Sequence, residues 1–179
     1  MTPNIINQTA KKSLVQCYDD LTKIDTIIKK DGGGATHVPF LTRYAIIKSC
    51  GTIEFCFKTI VSDHTSQTIN EQVKRFIDGK FRNSSMNPSL HNIKNGLASF
   101  DTKWCMDFEN AVKMHPNHEK IKLSLASLNT ARNHFAHGDS ITVSFANVFK
   151  YFLDSVTIIE LMEATILSIE MDEAIESDT

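Results

Sequence analysis

The chain of 179 residues is long enough for one domain with a sizeable core and too short for two full-sized domains. Hydrophobic residues make up 41% and charged residues 22%, which excludes a disordered chain and a disulfide-stapled miniature protein. The formal net charge of −2 is uneven, because residues 160–179 hold seven of the 21 acidic residues and no Lys or Arg. The preceding residues carry a modest basic excess, compatible with a phosphate-rich partner or with an ordinary solvated surface.

Apolar residues recur at three- and four-residue steps through most of the chain, and this period predicts helices. The first helix is predicted over residues 8–30 and is ended by Asp31 and the run Gly32-Gly33-Gly34. The glycine run lacks the Gly-Lys-Ser/Thr of a phosphate-binding loop and follows a helix, which favours a helix stop with a flexible linker. The second helix is predicted from Pro39 to about Val61.

The second half of the chain also has helical patterns. Shorter helices are predicted at about 67–78, 88–99 and 102–114, and two long ones at about 117–137 and 142–172. The last helix is apolar over much of its circumference, so it is either central to the core or shared with a second subunit. Because strand patterns are almost absent, we expect an all-α fold. It should form a single helical domain over residues 1–179, with an acidic tail at about 170–179.

Neither the cysteines nor the histidines are spaced like metal ligands. The four cysteines lie in helical patterns without a Cys-x-x-Cys pair, so we expect reduced core thiols. His115 and His118 supply too few ligands for a site, and we expect no metal and no cofactor. The first residues have no basic start and the chain has no 18-residue apolar run, so we expect a cytoplasmic protein without a membrane span.

The densest basic patch lies in the region of the shorter helices. It consists of Lys74, Arg75, Lys80, Arg82 and Lys94. A solvated face is the favoured explanation for such a patch.

Titratable groups converge near the end of the sixth predicted helix. Arg132, Asn133, His134 and His137 lie within six residues and directly precede Gly138. Histidine titrates near pH ~6.5 and can move protons at neutral pH, whereas arginine is permanently charged and suited to a phosphate. The segment is therefore the candidate catalytic site.

Arg132 is predicted to need an acidic partner. It falls on a helical stripe that should face the core, where a buried arginine must be paired. The apolar members of that stripe are Ile121, Leu125, Leu128 and Phe135. On the second helix, Glu54 lies among apolar residues and could pair with Arg43 or with Arg132. Such a pair would either fix the helix register or hold an arginine in position for a phosphate.

The segment Arg132-Asn133-x-x-x-His137 resembles the Arg-x4-His signature of the HEPN (higher eukaryotes and prokaryotes nucleotide-binding) superfamily. Residues 43–55 are similar to the corresponding helix of its RiboL-PSP-HEPN and MAE-type branches. The resemblance implies a helical bundle that forms a homodimer, with Arg132 and His137 in a cleft where RNA is cut without a metal ion. The chain lacks the His-x-Tyr extension of some HEPN toxins, so control through modification of that tyrosine is not expected.

The implied activity is that of an endoribonuclease that uses the ribose 2′-hydroxyl. The resemblance further implies a toxin or antiviral defence effector, held in check by an antitoxin or another regulatory protein. Asn133 would orient the imidazole of His137, donate to a phosphate or cap the helix. His134 would be a surface or interface histidine or a second catalyst. The alternatives are a non-catalytic RNA- or protein-binding module and a helical assembly protein.

Helix geometry restricts how Arg132 and His137 can cooperate. Five residues on an ideal helix turn by about 140° and rise by roughly 7.5 Å, so the two side chains leave on different sides. Either the helix loosens before Gly138, or Arg132 of one subunit meets His137 of the other. We expect a dimer cleft with some loosening.

Overall fold

The structure is a computed structural model that describes residues 1–67, 69–139 and 142–177, with side chains of the last helix described as far as Ser168. Its described residues contain no β-strand. They form α1 (Gln8–Asp31), α2 (Val38–Thr65), α3 (Glu71–Ile77), a π-helical turn (Asp78–Arg82), α4 (Leu90–Phe100), α5 (Thr102–Met114), α6 (His118–Ala136) and α7 (Phe145–Ser177). The prediction of an all-α fold with two long C-terminal helices is confirmed.

Local side-chain chemistry fixes both ends of α1. The Asn7 side chain accepts a hydrogen bond from the Ala10 N–H at 2.9 Å, which satisfies a free donor of the first turn. At the other end Gly32 has a φ of +87°, and its N–H donates to the Ile28 carbonyl at 2.9 Å. A residue without a side chain adopts this left-handed conformation without strain, so the helix ends where the glycine run was predicted to end it.

The last helix is central to the core, which is one of the two positions predicted from its apolar circumference. α7 packs against α1, α2, α5 and α6. Its fully buried apolar residues include Val148, Phe152, Ile158, Ile159 and Met162. The buried Glu163 accepts hydrogen bonds from the N–H groups of Ile6 and Asn7 at 2.6 and 2.8 Å, which ties the N-terminal segment to this helix.

Two predicted helix boundaries need correction. α2 continues to Thr65 instead of ending near Val61, because the packing against the core continues through Ser62. α7 begins at Phe145 instead of near 142 and its backbone continues to Ser177. The side chains of the predicted acidic tail lie outside the described residues.

The helix predicted over 67–78 differs most from the structure. Asn70 accepts a hydrogen bond from the Val73 N–H at 3.0 Å, so α3 starts only at Glu71. The chain then continues as the π-helical turn, where the buried Phe81 packs edge-on against Phe57 of α2 with ring centroids 5.4 Å apart. This contact attaches the region to the bundle although most of α3 is exposed.

The cysteines remain unpaired thiols, as predicted. Cys17, Cys50 and Cys56 are buried, and Cys105 is half-buried. Of the helices that can be described, none is both long and apolar enough to cross a membrane.

Candidate functional site

α6 ends in a tight hydrogen-bonded turn directly after His137. The Gly138 N–H donates to the Phe135 carbonyl at 3.1 Å, and the Asp139 N–H donates to the His134 carbonyl at 2.9 Å. This pair of bonds defines a Schellman motif, which requires a left-handed residue after the helix, and Gly138 has a φ of +81°. The glycine therefore fixes where the backbone leaves the helix beside the candidate histidine.

Arg132 marks the point where α6 leaves the core. Ile121, Leu125 and Leu128 are buried, as the predicted stripe required. One turn later Arg132 is only half-buried and Phe135 is 36% exposed. The prediction of a core-facing arginine is therefore wrong, because the last turn of α6 extends beyond the packed part of the bundle.

The guanidinium of Arg132 contacts an amide instead of a carboxylate. Its Nη1 lies 3.4 Å from Oδ1 of Asn133, which also accepts a hydrogen bond from Nδ2 of Asn87 at 3.2 Å. Among the described residues, no carboxylate oxygen lies within 4.0 Å of Arg132. The positive charge is thus left without an internal counter-ion.

The helix does not loosen before the candidate histidine. The N–H of His137 still donates to the carbonyl of Asn133 at 3.0 Å, which is the regular bond between residues four apart. The backbone thus keeps helical pitch from Arg132 to His137, and the turn of about 140° between them applies. Within one chain the two side chains leave α6 on different sides.

Asn133 does not orient the ring of His137. Its side-chain oxygen is occupied by Arg132 and Asn87, and only its backbone carbonyl contacts His137, through the helical hydrogen bond. The amide therefore steadies the arginine instead of the histidine.

His134 has a carboxylate partner across the turn. Its Nδ1 lies 3.0 Å from Oδ2 of Asp139, and both side chains are more than half exposed. The Schellman motif makes this contact by folding Asp139 back over the end of the helix. A carboxylate on one ring nitrogen fixes the orientation of the imidazole and leaves Nε2 facing outward.

Glu54 belongs to a different ion pair from either of those predicted. Its Oε1 accepts a hydrogen bond from Nζ of Lys58 at 2.7 Å and another from the N–H of Met86 at 2.8 Å. Lys58 is 5% exposed and also donates to the carbonyl of Ser84. The predicted pairing of Glu54 with Arg43 or Arg132 is therefore corrected, because a lysine one turn away on α2 takes the carboxylate.

Arg43 lies away from this ion pair. Its guanidinium carbon is 5.8 Å from the ring centroid of Phe40, within the range of a cation–π contact. Arg43 lines a groove between the start of α2 and the start of α7 instead of the region around Arg132.

The Glu54–Lys58 pair acts on Arg132 indirectly, through the loop that follows the π-helical turn. The pair holds Ser84 and Met86, and the next residue, Asn87, reaches Asn133. The sequence prediction missed Lys58 and Asn87. The spacing of four between Glu54 and Lys58 is a signal for the ion pair, but no local pattern connects Asn87 to α6.

The family model of RiboL-PSP-HEPN matches residues 7–169. The match spans α1 to α6 and most of α7. The chain belongs to the RiboL-PSP-HEPN family. The comparison with curated proteins gave no significant match, and neither did the comparison with solved structures.

In this RiboL-PSP-HEPN chain, the thiol of Cys50 is close enough to Arg132 and Glu54 to be affected by both charges. Burial raises the pKa of its thiol to about 12, while the positive charge of Arg132 lowers that pKa and the charge of Glu54 raises it further. The Cys50 thiol donates to the carbonyl of Leu128 at 3.5 Å, which joins α2 to α6 one turn before Arg132. The thiol is therefore neutral at physiological pH and serves as packing.

The described part of this RiboL-PSP-HEPN chain holds no cluster of three or more His, Cys, Asp and Glu side chains arranged for a metal ion. The groups at the end of α6 that can take part in a reaction are the guanidinium of Arg132 and the imidazoles of His134 and His137. These can bind a phosphate and transfer protons.

Proposed function

We propose that this RiboL-PSP-HEPN protein is a metal-independent endoribonuclease whose reaction is carried by Arg132 and His137. One observation carries the proposal: Arg132 lies outside the core, beside the exposed His137 turn. Its guanidinium meets an amide and, within the described part of the chain, no carboxylate within 4.0 Å. A fixed cation that lacks an internal counter-ion is ready to bind a phosphate. Family membership supports a ribonuclease or an RNA-binding module.

The proposed reaction is an attack by the ribose 2′-oxygen on the adjacent phosphorus. Neutral His137 takes the proton from the 2′-hydroxyl while Arg132 neutralises the charge that develops on the phosphate oxygens. The bond from phosphorus to the 5′-oxygen breaks, and a protonated histidine supplies the proton to that leaving oxygen. The products are a 2′,3′-cyclic phosphate and a 5′-hydroxyl, and DNA is spared because it lacks the attacking group.

A second copy of the chain would complete the site. Because Arg132 and His137 leave one helix on different sides, a two-fold arrangement lets Arg132 of one copy act with His137 of the other. An exposed apolar stripe on α2 supports such an interface. It consists of Phe40, Tyr44 and Ile47, which are 66%, 51% and 42% exposed.

The biological role we propose is that of a cytoplasmic toxin or antiviral defence effector. An enzyme that cuts cellular RNA must be restrained, so an antitoxin or another regulatory protein would cover the turn at Arg132 and His137. Both histidines of this turn are exposed and thus open to such a partner.

The experiment is incubation of the full chain with total RNA and with a single-stranded RNA oligomer in excess EDTA. The parent should leave cyclic phosphate ends, and Arg132→Ala and His137→Ala should each slow cleavage by about 10²- to 10⁴-fold with unchanged melting temperature. His91→Ala is the matched control, because His91 is exposed on α4, away from the turn, and bonds to Asn95 of the same helix. Equal loss in this control, or cleavage that persists in both site variants, would refute the assignment.

A non-catalytic RNA-binding module is the second candidate. It is favoured by the separation of Arg132 and His137 within one chain. If the protein stays monomeric in light scattering and binds RNA without cutting it, this candidate replaces the nuclease. Arg132→Ala should then weaken binding while His137→Ala leaves it nearly unchanged.

A further inference from the structure

α3 and the π-helical turn together form a short exposed arm, residues 71–82, that the proposed reaction does not use. The base of the arm is fixed to the bundle. Ile77 and Phe81 are buried there, and Arg82 donates hydrogen bonds to Asp63 of α2 and to Asp78. The remaining surface of the arm is consequently held in place without being covered.

The exposed surface of the arm combines an aromatic ring with unpaired cations. Phe76 is 65% exposed, although an aromatic side chain of this size is ordinarily covered. Lys74, Arg75 and Lys80 lie within four residues of it, and none of them has a carboxylate within 4.0 Å among the described residues. Arg82 at the base differs, because two carboxylates neutralise it.

We propose that this arm is a binding surface for single-stranded RNA. The proposal rests on the proposed function and gives the path that the substrate RNA takes to the site. Lys74, Arg75 and Lys80 would contact phosphates, and an unpaired base would stack on Phe76. Cations that track a backbone beside an aromatic platform are the chemistry by which proteins hold single strands without reading their sequence. Apart from Asp78, which is paired with Arg82, the arm contains one acid, Glu71. The electrostatic field at the surface of the arm is therefore positive.

A groove runs along α2 beside the base of the arm. It has a volume of about 230 Å³ and begins at Arg82 and Asn83. Phe55, which is 44% exposed, lines it and offers a second ring for stacking. Glu54 also lines the groove, but its charge is already matched by Lys58.

The loop beyond the groove ends at the site. Asn87 reaches Asn133, the residue that contacts Arg132. Along α2, thirteen residues separate Asp63 at the base of the arm from Cys50 beside α6, which corresponds to about 20 Å. A short single strand held on the arm would therefore extend along α2 to the guanidinium.

The test is fluorescence anisotropy with an end-labelled, mixed-sequence single-stranded RNA of about 20 nucleotides, titrated at several KCl concentrations. All proteins carry His137→Ala so that the probe stays intact. Phe76→Ala should weaken binding about tenfold. Lys74→Ala/Arg75→Ala/Lys80→Ala should weaken it further and reduce the slope of log affinity against log salt by about 2, the value for three released phosphate contacts.

The matched controls remove an exposed apolar side chain and three positive charges elsewhere. Met114→Ala removes an apolar side chain that is 82% exposed on α5, and Lys11→Ala/Lys12→Ala/Lys30→Ala removes three positive charges from α1. Neither control should change affinity by more than about twofold. Phe76→Trp should bind RNA as well as Phe76 does, and Phe76→Leu should bind as weakly as Phe76→Ala, because stacking needs a ring and not only an apolar group.

The outcomes separate this inference from the nuclease assignment. Loss of binding in the arm variants alone supports the arm even if the parent chain fails to cut RNA. In a cutting enzyme the same variants should raise KM about tenfold and leave kcat unchanged. The inference would be overturned if the arm variants kept the affinity and the salt slope of the parent, or if the folded parent did not bind RNA. The first of these results would indicate that the arm contacts a protein instead.

Discussion

Two regions of the molecule use similar polar groups for opposite purposes. On α2, the side chain of Lys58 is 7% exposed and meets both a carboxylate and a carbonyl. At the end of α6, Arg132 is half-buried, and its one hydrogen bond among the described residues is to an amide. A buried charge must be satisfied internally, whereas a charge at the rim can remain open to a ligand. The difference teaches that burial, more than residue type, separates a structural ion pair from a candidate site.

The largest effect should come from the buried lysine. Lys58→Met leaves the carboxylate of Glu54 without its cation and should lower the free energy of unfolding by about 3 kcal/mol. Urea denaturation followed by circular dichroism would measure the change. The double variant Glu54→Gln/Lys58→Met should recover part of the loss, because it removes the unpaired charge as well.

Lys29→Met is the matched control for this prediction. Lys29 pairs with Asp25 at the same four-residue spacing, but its side chain is 75% exposed. The expected cost is at most about 0.5 kcal/mol. Equal costs for the two lysines would mean that burial does not distinguish the pairs.

The turn after α6 should respond less in stability and more in activity. Gly138→Ala forces a side chain into a φ of +81° and should cost about 1 kcal/mol. Because the Schellman motif also sets the position of His137, RNA cleavage should fall more than the loss of stability explains. Gly138→Asn should be tolerated better, since asparagine adopts this conformation more readily. Normal cleavage by a folded Gly138→Ala chain would show that the turn does not position the histidine.

Much of the fold follows from local patterns in the sequence. The period of apolar residues predicted α1 and α5 to within one residue, and the Gly32 and Gly138 stops have the positive φ values that such stops require. The extension of α2 beyond Val61 could not be read in this way, because it depends on packing against other helices.

The candidate site was only partly predictable, because it too depends on packing between helices. The closeness of Arg132 and His137 along the chain is visible in the sequence, since both lie on one short segment. The partner of Glu54 was predicted wrongly, because Lys58, one turn away on α2, takes the carboxylate. Asn87 was missed, because its contact with Asn133 joins residues 46 apart.

The smallest expected effect on stability belongs to Asn87, the residue that joins the two regions. Asn87→Ala removes the donor to Asn133 and leaves the amide that steadies Arg132 free to rotate. A hydrogen bond of this kind contributes about 1 kcal/mol, so cleavage should fall about fivefold through kcat. The melting temperature should change by less than about 2 °C, because the contact is exposed. Asn95→Ala, which changes an exposed asparagine that also has a side-chain partner, should leave cleavage unchanged.

Asn87→Asp tests whether the missing counter-ion at Arg132 matters. A carboxylate at this position would lie beside Asn133, close enough for a modest rearrangement to bring it to the guanidinium. It would compete with the RNA phosphate, so cleavage should fall further than in Asn87→Ala. Stability should fall slightly, because the carboxylate replaces the donor to Asn133. Raising the salt concentration should partly relieve this inhibition relative to Asn87→Ala, because salt screens an exposed pair. Equal activity of the two variants would mean that the open charge of Arg132 does not contact the substrate.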